Sequence, residues 1–385
     1  MPLAGLSIGK RSALLLDKEN MTKYSISPMS SLYELYLRHP RISTDSRRIE
    51  PDSVFFALRG ASFDGNRFAA DALEKGAAYA VVDDPSLPNT RPDKADRLIV
   101  VDDALQTLQT LAREHRRELG LPILAITGSN GKTTTKELVS RVLAEKYEVY
   151  ATRGNLNNHI GVPLTLLAMT RDVEFGIVEM GASACGEIAL LCSIAEPNYG
   201  IVTNIGRAHL EGFGGPEGVR RGKGELYDWL ARTGGRVFVP ANDPVLMSMA
   251  AERETLAAEC YPTTLADGME HHLEGDYNRF NVAAAVAVGR YFGVDDERIR
   301  YAVGSYRPDN HRSQKIRTGQ NTLILDCYNA NPSSMQASLV NFRQEPLEGC
   351  TRKILILGDM LELGDWSDAE HRHIISPVSY THLTL

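Results

Sequence analysis

Short apolar runs alternate with helical stretches from Pro122 onward. The runs predict buried strands at Ile123–Ile126, Glu148–Ala151, Phe175–Val178, Gly200–Thr203 and Arg236–Val239. Helical spacing of apolar residues between most of them predicts helices. Strands and helices that alternate in this way form a mainly parallel sheet covered on both faces. In such a sheet, ligands bind beyond the carboxyl ends of the strands.

Similar patterns flank this central region. Before it, strands are predicted at 54–58, 80–82 and 98–101, helices at 68–75 and 104–119, and a loop at 84–97. The helix at 104–119 carries apolar residues at helical spacing and connects this first unit to the central one. After the last central strand, an Ala-rich helix is predicted at Asn278–Tyr291, followed by another at Asp295–Val303.

The last part of the chain starts a new alternation. The polar stretch Arg307–Gln314 contains Pro308 and is predicted to be a linker. Beyond it, strands are predicted at Leu323–Asp326 and Lys353–Leu357, and helices at Ser334–Phe342 and Asp368–Ile375. Doubly wound domains usually have more strands, so this domain is expected to be incomplete.

The predicted organisation has four parts. Residues 1–28 form a leader of doubtful status, in which Met21 or the following Met29 is an alternative start. Three domains follow, over 29–103, 104–306 and 307–385, and residues 376–385 lack the pattern of a helix or strand. A length of 385 residues agrees with two or three domains.

Composition narrows the class of protein. A hydrophobic content of 43% and a charged content of 24% are typical of a soluble globular protein. The net charge of −7 argues against a general binder of nucleic acid or membrane surfaces. The five cysteines are odd in number and form no CxxC pair, which favours a reducing compartment. We therefore expect a cytoplasmic protein without a membrane span.

A phosphate-binding loop is predicted between the first central strand and the next helix. Its residues are Gly128, Ser129, Asn130, Gly131, Lys132, Thr133 and Thr134. The glycines let backbone N–H groups converge on a phosphate, and the helix N-terminus adds partial positive charge. Lys132 is expected to reach the outer phosphates and Thr133 to bind Mg²⁺. The generic pattern G-x-x-x-x-G-K-[ST] requires glycine where Ile126 stands, so a chance Gly-Lys-Thr loop is the alternative to an ATP or GTP site.

Polar residues follow other predicted strands. Glu179 ends the strand at 175–178, where a carboxylate is a natural Mg²⁺ ligand, although a solvated strand end is the alternative. The loop 154–163 carries more amides than a turn needs, so ligand contacts are predicted for Asn155, Asn157, Asn158 and His159.

Two further residues carry weaker signals. His209 follows the strand at 200–203 and is either a second metal ligand, a substrate contact or a structural histidine. Lys223 lies on a predicted helix, where a lone lysine is usually solvated.

Together these segments resemble the Mur ligases, the ATP-dependent amide-forming enzymes of peptidoglycan precursor synthesis. The matching motifs are T-G-S-N-G-K-T-T at 127–134, V-E-M-G at 178–181, N-I-G-R-A-H at 204–209 and K-G-E-L at 223–226. The absent first glycine is this family's own pattern. The resemblance implies an α/β fold of three domains. These are a small α/β N-terminal domain, a central P-loop domain with a mainly parallel sheet, and a Rossmann-like C-terminal domain that is incomplete here.

Further motifs resemble the family member that joins D-alanyl-D-alanine to UDP-N-acetylmuramoyl-tripeptide. They lie at 44–47, 54–58, 63–68, 155–163, 326–332 and 357–364. The Asp-Asn-Pro-Arg motif of the enzyme that adds the third peptide residue is absent from this sequence. The resemblance therefore implies these two substrates, ATP and two Mg²⁺ sites, and we expect a monomer.

The resemblance also implies residue roles. Lys132 and the loop amides would hold ATP, Thr133 and Glu179 one Mg²⁺, and His209 a second Mg²⁺. Lys223 matches the lysine that the family carbamylates, which makes it a metal-organising group. Contacts to adenine would come from Asn278 and Asn281, and closure over the nucleotide from Arg312 and Asp326. The uridine nucleotide would lie against Ser46, Arg47, Phe63, Asp64 and Gly65.

The reaction implied is stepwise, through an acyl phosphate that the amine of the dipeptide then attacks. Two alternatives stay open. One is another ligase of the superfamily, such as the tripeptide-forming enzyme or a folylpolyglutamate synthase. The other is an inactive nucleotide-binding fragment, because the last domain is short.

Overall fold

The structure is a computed structural model that describes residues 28–308, 314–345 and 352–379. The strands β1 to β14 are Arg41–Ser43, Ser53–Phe56, Arg59–Gly60, Phe63–Asp64, Tyr79–Val82, Leu98–Val100, Ile123–Thr127, Val149–Ala151, Phe175–Glu179, Tyr199–Val202, Arg236–Pro240, Ala257–Tyr261, Gln314–Arg317 and Thr322–Leu325. The helices α1 to α14 are Pro28–Arg38, Ala69–Glu74, Leu87–Thr90, Ala104–Leu119, Lys132–Ala144, Gly161–Leu167, Glu187–Ala195, Leu210–Phe213, Pro216–Thr233, Pro244–Ala251, Asn278–Tyr291, Asp296–Ser305, Pro332–Gln344 and Ser367–Ser379. Predicted positions in the leader, most of the linker and Arg312 lie outside the described residues.

A parallel six-stranded sheet forms the centre, in the order β12-β11-β10-β7-β9-β8. Helices α5, α11 and α12 pack on one face, and α4, α6, α7 and α9 contribute to the core on the other. Both β7 and β9 are buried along their whole length. The prediction of a mainly parallel sheet covered on both faces is therefore confirmed, and its central strands β7, β9 and β10 end side by side.

A smaller parallel sheet, β1-β2-β5-β6, precedes the central one. Helix α2 packs on one of its faces, and α1 and α4 share a core with the other face and with the central sheet. The structure has α4 at the predicted residues, because Asp103 accepts the Gln106 N–H at its start and Gly120, at φ 64°, ends it. The predicted loop at 84–97 contains the short helix α3 and a 3₁₀ turn at Ala95–Arg97.

The last segment contains the antiparallel pair β13-β14 and helices α13 and α14. Helix α13 begins at a capping box in which Asn331 and Ser334 bond each other's backbone N–H. The predicted strand at 353–357 is wrong. No described strand pairs with it, and the side chains of Ile354 and Ile356 are 56% and 95% exposed. An apolar run becomes a strand only where a neighbour takes its backbone hydrogen bonds.

This segment packs on the central domain through a small apolar cluster. Its buried members are Leu210, Phe213, Val219, Met360, Leu363 and Ile374. The cluster joins α8 and α9 of the central domain to the turn and helix at 360–374, next to the carboxyl ends of the central strands. None of the helices in the described part of the chain is long and apolar enough to cross a membrane.

Candidate active site

The loop after β7 has two glycines that the fold requires. Gly128 and Gly131 have φ values of +139° and +79°, which disfavour any side chain. A Cβ at Gly128 would lie 2.0 Å from Thr203 Oγ1, and one at Gly131 would lie 2.7 Å from Asn281 Oδ1. The loop therefore runs in close contact with the segment after β10 on one side and with α11 on the other.

Hydrogen bonds from the segment after β10 hold this loop in shape. The Ser129 N–H donates to the Asn204 carbonyl at 3.1 Å, and the Asn130 N–H donates to Asn204 Oδ1 at 3.1 Å. Lys132, the first residue of α5, donates its Nζ to the carbonyls of Gly128 and Ser129 at 2.8 and 3.2 Å. The ammonium thus lies over the loop at the positive end of the helix dipole, where a phosphate would be bound.

Glu179, the last residue of β9, is a buried carboxylate that its surroundings only half satisfy. Its side chain accepts a hydrogen bond from Asn157 Nδ2 at 2.9 Å through Oε1, whereas Oε2 is buried without a hydrogen-bond partner. A buried charged oxygen without a partner is costly. A cation bound beside Glu179 would offset that cost, and carboxylate oxygens are ligands of the kind Mg²⁺ prefers.

No group of three or more His, Cys, Asp or Glu residues able to hold a metal occurs in the described ranges. Mg²⁺ is usually held by one or two carboxylates together with waters and substrate phosphates.

The residues of the amide-rich loop before α6 make different contacts. Asn157 orients Glu179, and its carbonyl accepts the Gly181 N–H at 2.8 Å. Asn158 Oδ1 accepts the N–H groups of Ile160 and Gly161 at 3.1 and 2.9 Å, so it caps the start of α6. Asn155 and His159 are exposed, and ligand contacts for all four of these residues stay a prediction.

Lys223 on α9 is not the solvated lysine that its sequence context suggests. Its side chain is 1% exposed, Nζ donates to the Ala182 carbonyl at 3.1 Å, and the ammonium lies 5.0 Å from the centre of the Phe213 ring. Burial lowers the pKa of Lys223 from 10.5 to about 7, and the charge of Lys132 adds to this effect. A substantial fraction of the amine is therefore neutral and nucleophilic at neutral pH.

His209 precedes α8 and meets the last segment of the chain. Its Nδ1 pairs with the carboxylate of Glu362. Close by, Arg207 pairs with the buried carboxylate of Glu370. A third contact reaches the phosphate-binding loop, where the side-chain amides of Asn130 and Asn331 are joined by hydrogen bonds of 2.8 and 3.3 Å.

A cavity of about 880 Å³ joins these elements. The predicted residues that line it are Ser129, Asn130, Gly131, Lys132, Thr134, Asn157, Asn158, His159, Glu179, His209, Asn278, Asn281 and Asp326. Gly128, Thr133, Asn155 and Lys223 are not among the lining residues. The amides of Asn278 and Asn281 bond each other at 2.8 Å and link α11 to Thr135 of α5, so they shape this end of the cavity.

Comparison with known proteins decides the family. Three family models match the chain: "Mur ligase family, catalytic domain" at 40–116, "Mur ligase middle domain" at 126–265 and "Mur ligase, glutamate ligase domain" at 311–384. The UDP-N-acetylmuramoyl-tripeptide–D-alanyl-D-alanine ligase of Bacillus subtilis (strain 168) is 37% identical over 367 residues, which cover 87% of this chain and 77% of that protein. The chain belongs to the Mur ligase family.

Solved structures agree with this assignment. The Mur ligase MurF of Acinetobacter baumannii has a TM-score of 0.78 at 31% identity, over 89% of this chain and 79% of that one. The MurF ligase of Thermotoga maritima, solved in complex with ADP, has a TM-score of 0.76 at 27% identity, over 89% and 82% of the two chains. The three-domain Mur ligase architecture is thus the fold of this chain.

The segments after β1 and around the β3–β4 hairpin of this Mur ligase carry the residues predicted for the uridine nucleotide, which do not line the cavity. Ser46 is buried, whereas Arg47 is exposed and pairs with Asp45 at 2.8 Å. Phe63 is 46% exposed and stacks on Phe68 with ring centres 5.4 Å apart. These residues offer a charge and an aromatic face to solvent.

Two neighbouring residues shape the β3–β4 hairpin that carries Phe63. Asp64 accepts the Asn66 N–H at 3.0 Å. A Cβ at Gly65 would lie 2.5 Å from the Leu58 carbonyl, so this position requires glycine. Asp64 and Gly65 therefore both contribute to the local backbone structure, whether or not they contact a substrate.

Several residues of the Mur ligase site escaped the sequence reasoning. They are Asn204, Tyr277, Phe280, Asn331, Ser333 and Glu362, all of which line the cavity. Four of them, Asn204, Asn331, Ser333 and Glu362, lie inside or next to the Mur ligase motifs at 204–209, 326–332 and 357–364. The motifs signalled them, but only the packing of the last segment shows which side chain of each motif reaches the cavity.

Proposed function

We propose that this chain is the ATP-dependent amide ligase that joins D-alanyl-D-alanine to UDP-N-acetylmuramoyl-tripeptide. The products are UDP-N-acetylmuramoyl-pentapeptide, ADP and phosphate. The observation that carries the proposal is the likeness to the Bacillus subtilis enzyme of that name, at 37% identity over 87% of this chain. The phosphate-binding loop and the ADP complex of the Thermotoga maritima relative support ATP as the phosphate donor.

The reaction proposed has two steps. The terminal carboxylate of the tripeptide attacks the γ-phosphorus of ATP, so that an acyl phosphate forms and ADP leaves. The amine of D-alanyl-D-alanine then attacks the acyl carbon, loses a proton and displaces phosphate. Carboxylate and triphosphate repel each other, so Lys132 and the N–H groups that open α5 are needed to hold the phosphates.

Mg²⁺ bound at this site would neutralise phosphate charge as the carboxylate approaches. We assign Thr133 and Glu179 to one Mg²⁺ and His209 to a second. The unpartnered Oε2 of Glu179 supports the first assignment, and the position of His209 on the same cavity supports the second.

We further propose that Lys223 is carbamylated. The neutral amine adds CO₂ at Nζ and releases one proton, which leaves a carboxylate that would help to organise the second metal. The pKa of about 7 supports this step because it leaves the amine reactive at neutral pH.

The remaining parts of the proposal concern organisation. We assign residues 29–103 to the uridine-nucleotide end of the substrate, 104–306 to ATP, and 307–385 to closure over the nucleotide and to the dipeptide. Arg47 and Phe63 are the exposed groups of the first domain that would meet the uridine nucleotide. The supply of ATP and of a UDP-linked precursor supports a cytoplasmic enzyme, which we expect to be a monomer.

A substrate panel tests the function. Purified protein is incubated with ATP, Mg²⁺, UDP-N-acetylmuramoyl-tripeptide and one amine donor at a time, and ADP release and the mass of the product are followed. D-alanyl-D-alanine should give the fastest ADP release and the pentapeptide product. Faster ADP release with a single amino acid would contradict the proposal. Lys132→Met, in which the ammonium is lost but the chain length is kept, provides the inactive control.

A further inference from the structure

Two residues with left-handed backbone face each other across the contact between the central domain and the last segment. His209 and Glu362 have φ values of +53° and +59°. Neither is a glycine, so each conformation costs roughly 1 kcal/mol and persists only where the surroundings fix it. Such positions concentrate at functional sites, and both residues line the large cavity.

The contact between them is made by Nδ1 of the imidazole. An ionised carboxylate only accepts hydrogen bonds, so Nδ1 of His209 must donate to Oε2 of Glu362. The neutral ring then has its lone pair on Nε2. A backbone hydrogen bond from the Glu211 N–H to the Glu362 carbonyl, at 3.1 Å, holds the backbone of Glu362 next to the segment that carries His209.

Apolar packing holds this pair in place from both sides. Leu210 directly follows His209, Leu363 directly follows Glu362, and both are buried in the cluster that also contains Phe213 and Met360. The position of Glu362 therefore depends on docking of the last segment through a rigid apolar contact. It does not depend on the hydrogen bond between His209 and Glu362 itself.

The contact between His209 and Glu362 adds little to docking. The side chains of His209 and Glu362 are 26% and 57% exposed, and pairs of this kind contribute about 0–1 kcal/mol. The neighbouring Arg207–Glu370 pair, whose carboxylate is buried, also joins the two parts without touching His209. Both Glu362 and Glu370 thus join the last segment to the central domain, but only Glu362 contacts the imidazole of His209 and can orient it.

We propose that Glu362 is a positioning residue that orients His209 for metal binding. Docking of the last segment brings the carboxylate to Nδ1, which fixes the tautomer and the ring plane and leaves Nε2 available. Metal-bound histidines commonly donate their other N–H to a carboxylate in this way. The inference rests on the proposed role of His209 as a Mg²⁺ ligand, and it couples that ligand to closure of the third domain.

Mn²⁺ binding by the full chain tests this inference. Free Mn²⁺ is measured by electron paramagnetic resonance during titration, and the binding component lost in His209→Ala defines the His209 site. Glu362→Gln should weaken that component 10- to 100-fold, the usual effect of removing such a partner. Glu370→Gln, which also removes one negative charge and one docking contact, should leave it unchanged.

The double variant separates positioning from simple charge. If Glu362 acts through His209, Glu362→Gln has no further effect on Mn²⁺ binding in the His209→Ala background. A loss that persists there, an equal loss in Glu370→Gln, or wild-type Mn²⁺ binding by Glu362→Gln would each overturn the inference. Unchanged Mn²⁺ binding by His209→Ala would instead overturn the metal role of His209, a failure of the proposed function itself.

Discussion

Replacing Lys223 by methionine should make the protein more stable, and the gain should depend on pH. The substitution keeps the length and the apolar contacts of a side chain that is 1% exposed, but removes its charge. Because burial lowers the pKa of Lys223 from 10.5 to about 7, the folded state disfavours the ammonium. The penalty is absent above pH 10.5, grows as the pH falls, and is complete below pH 7.

The size of the effect follows from these two pKa values. The full penalty is about 5 kcal/mol. It amounts to about 4 kcal/mol at neutral pH and only about 1.4 kcal/mol one pH unit below the unfolded pKa. Loss of the hydrogen bond to Ala182 and of the contact with Phe213 subtracts about 1–2 kcal/mol, independently of pH. The stability difference should therefore grow by about 3 kcal/mol as the pH falls from one unit below the unfolded pKa to neutral pH.

Guanidinium unfolding of wild type and Lys223→Met in CO₂-depleted buffers measures this difference. Lys136→Met is the matched control, because Lys136 is 2% exposed but its Nζ lies 2.8 Å from the Glu137 carboxylate and donates to the Thr152 carbonyl at 2.6 Å. That variant should lose stability. Bicarbonate should stabilise the wild type and leave Lys223→Met unchanged if Lys223 forms a carbamate. A pH-independent difference between wild type and Lys223→Met would refute the reasoning.

Three further substitutions probe other contacts. Gly131→Ala, whose Cβ would lie 2.7 Å from Asn281 Oδ1, should destabilise by about 1–3 kcal/mol and abolish ADP binding in calorimetry. Unchanged ADP affinity would contradict the loop geometry. Glu179→Gln should raise the thermal midpoint without Mg²⁺ while it abolishes turnover, and a lower midpoint would show that Oε2 has a partner. Leu363→Ala should cost about 2–4 kcal/mol and speed proteolysis of the last segment, whereas Leu361→Ala, 75% exposed, should do neither.

The parts of the fold that the sequence predicted are those with strong local signals. Helix α11 has its predicted bounds because an Ala-rich run strongly favours the helical conformation. Helix α4 has its predicted bounds because Asp103 caps its start and Gly120 ends it. The strand predicted at 353–357 failed because an apolar run carries no information on whether a neighbouring strand is present. Without a neighbouring strand in the described part of the chain, this apolar run stays irregular, and the side chain of Ile356 is 95% exposed.

The candidate site shows the same division. The glycines and Lys132 of the phosphate-binding loop were predictable, since a strand, a glycine-rich turn and a helix in sequence specify their own geometry. Asn158, predicted to contact a ligand, both lines the cavity and accepts N–H groups at the start of α6, and its ligand contact stays a prediction. Sequence density of polar residues does not separate these two uses.

By itself, the sequence determined the alternation of strands and helices, the phosphate-binding loop and the family resemblance, because each depends on residues close together in the chain. Only the tertiary structure decided the state of Lys223 and the partner of His209. The pKa of Lys223 is low because packing around α9 buries its ammonium and because the charge of Lys132, distant in sequence, adds to the effect. His209 meets Glu362 because an apolar cluster docks the last segment beside it. Burial and long-range contact are properties of packing, which local sequence patterns do not contain.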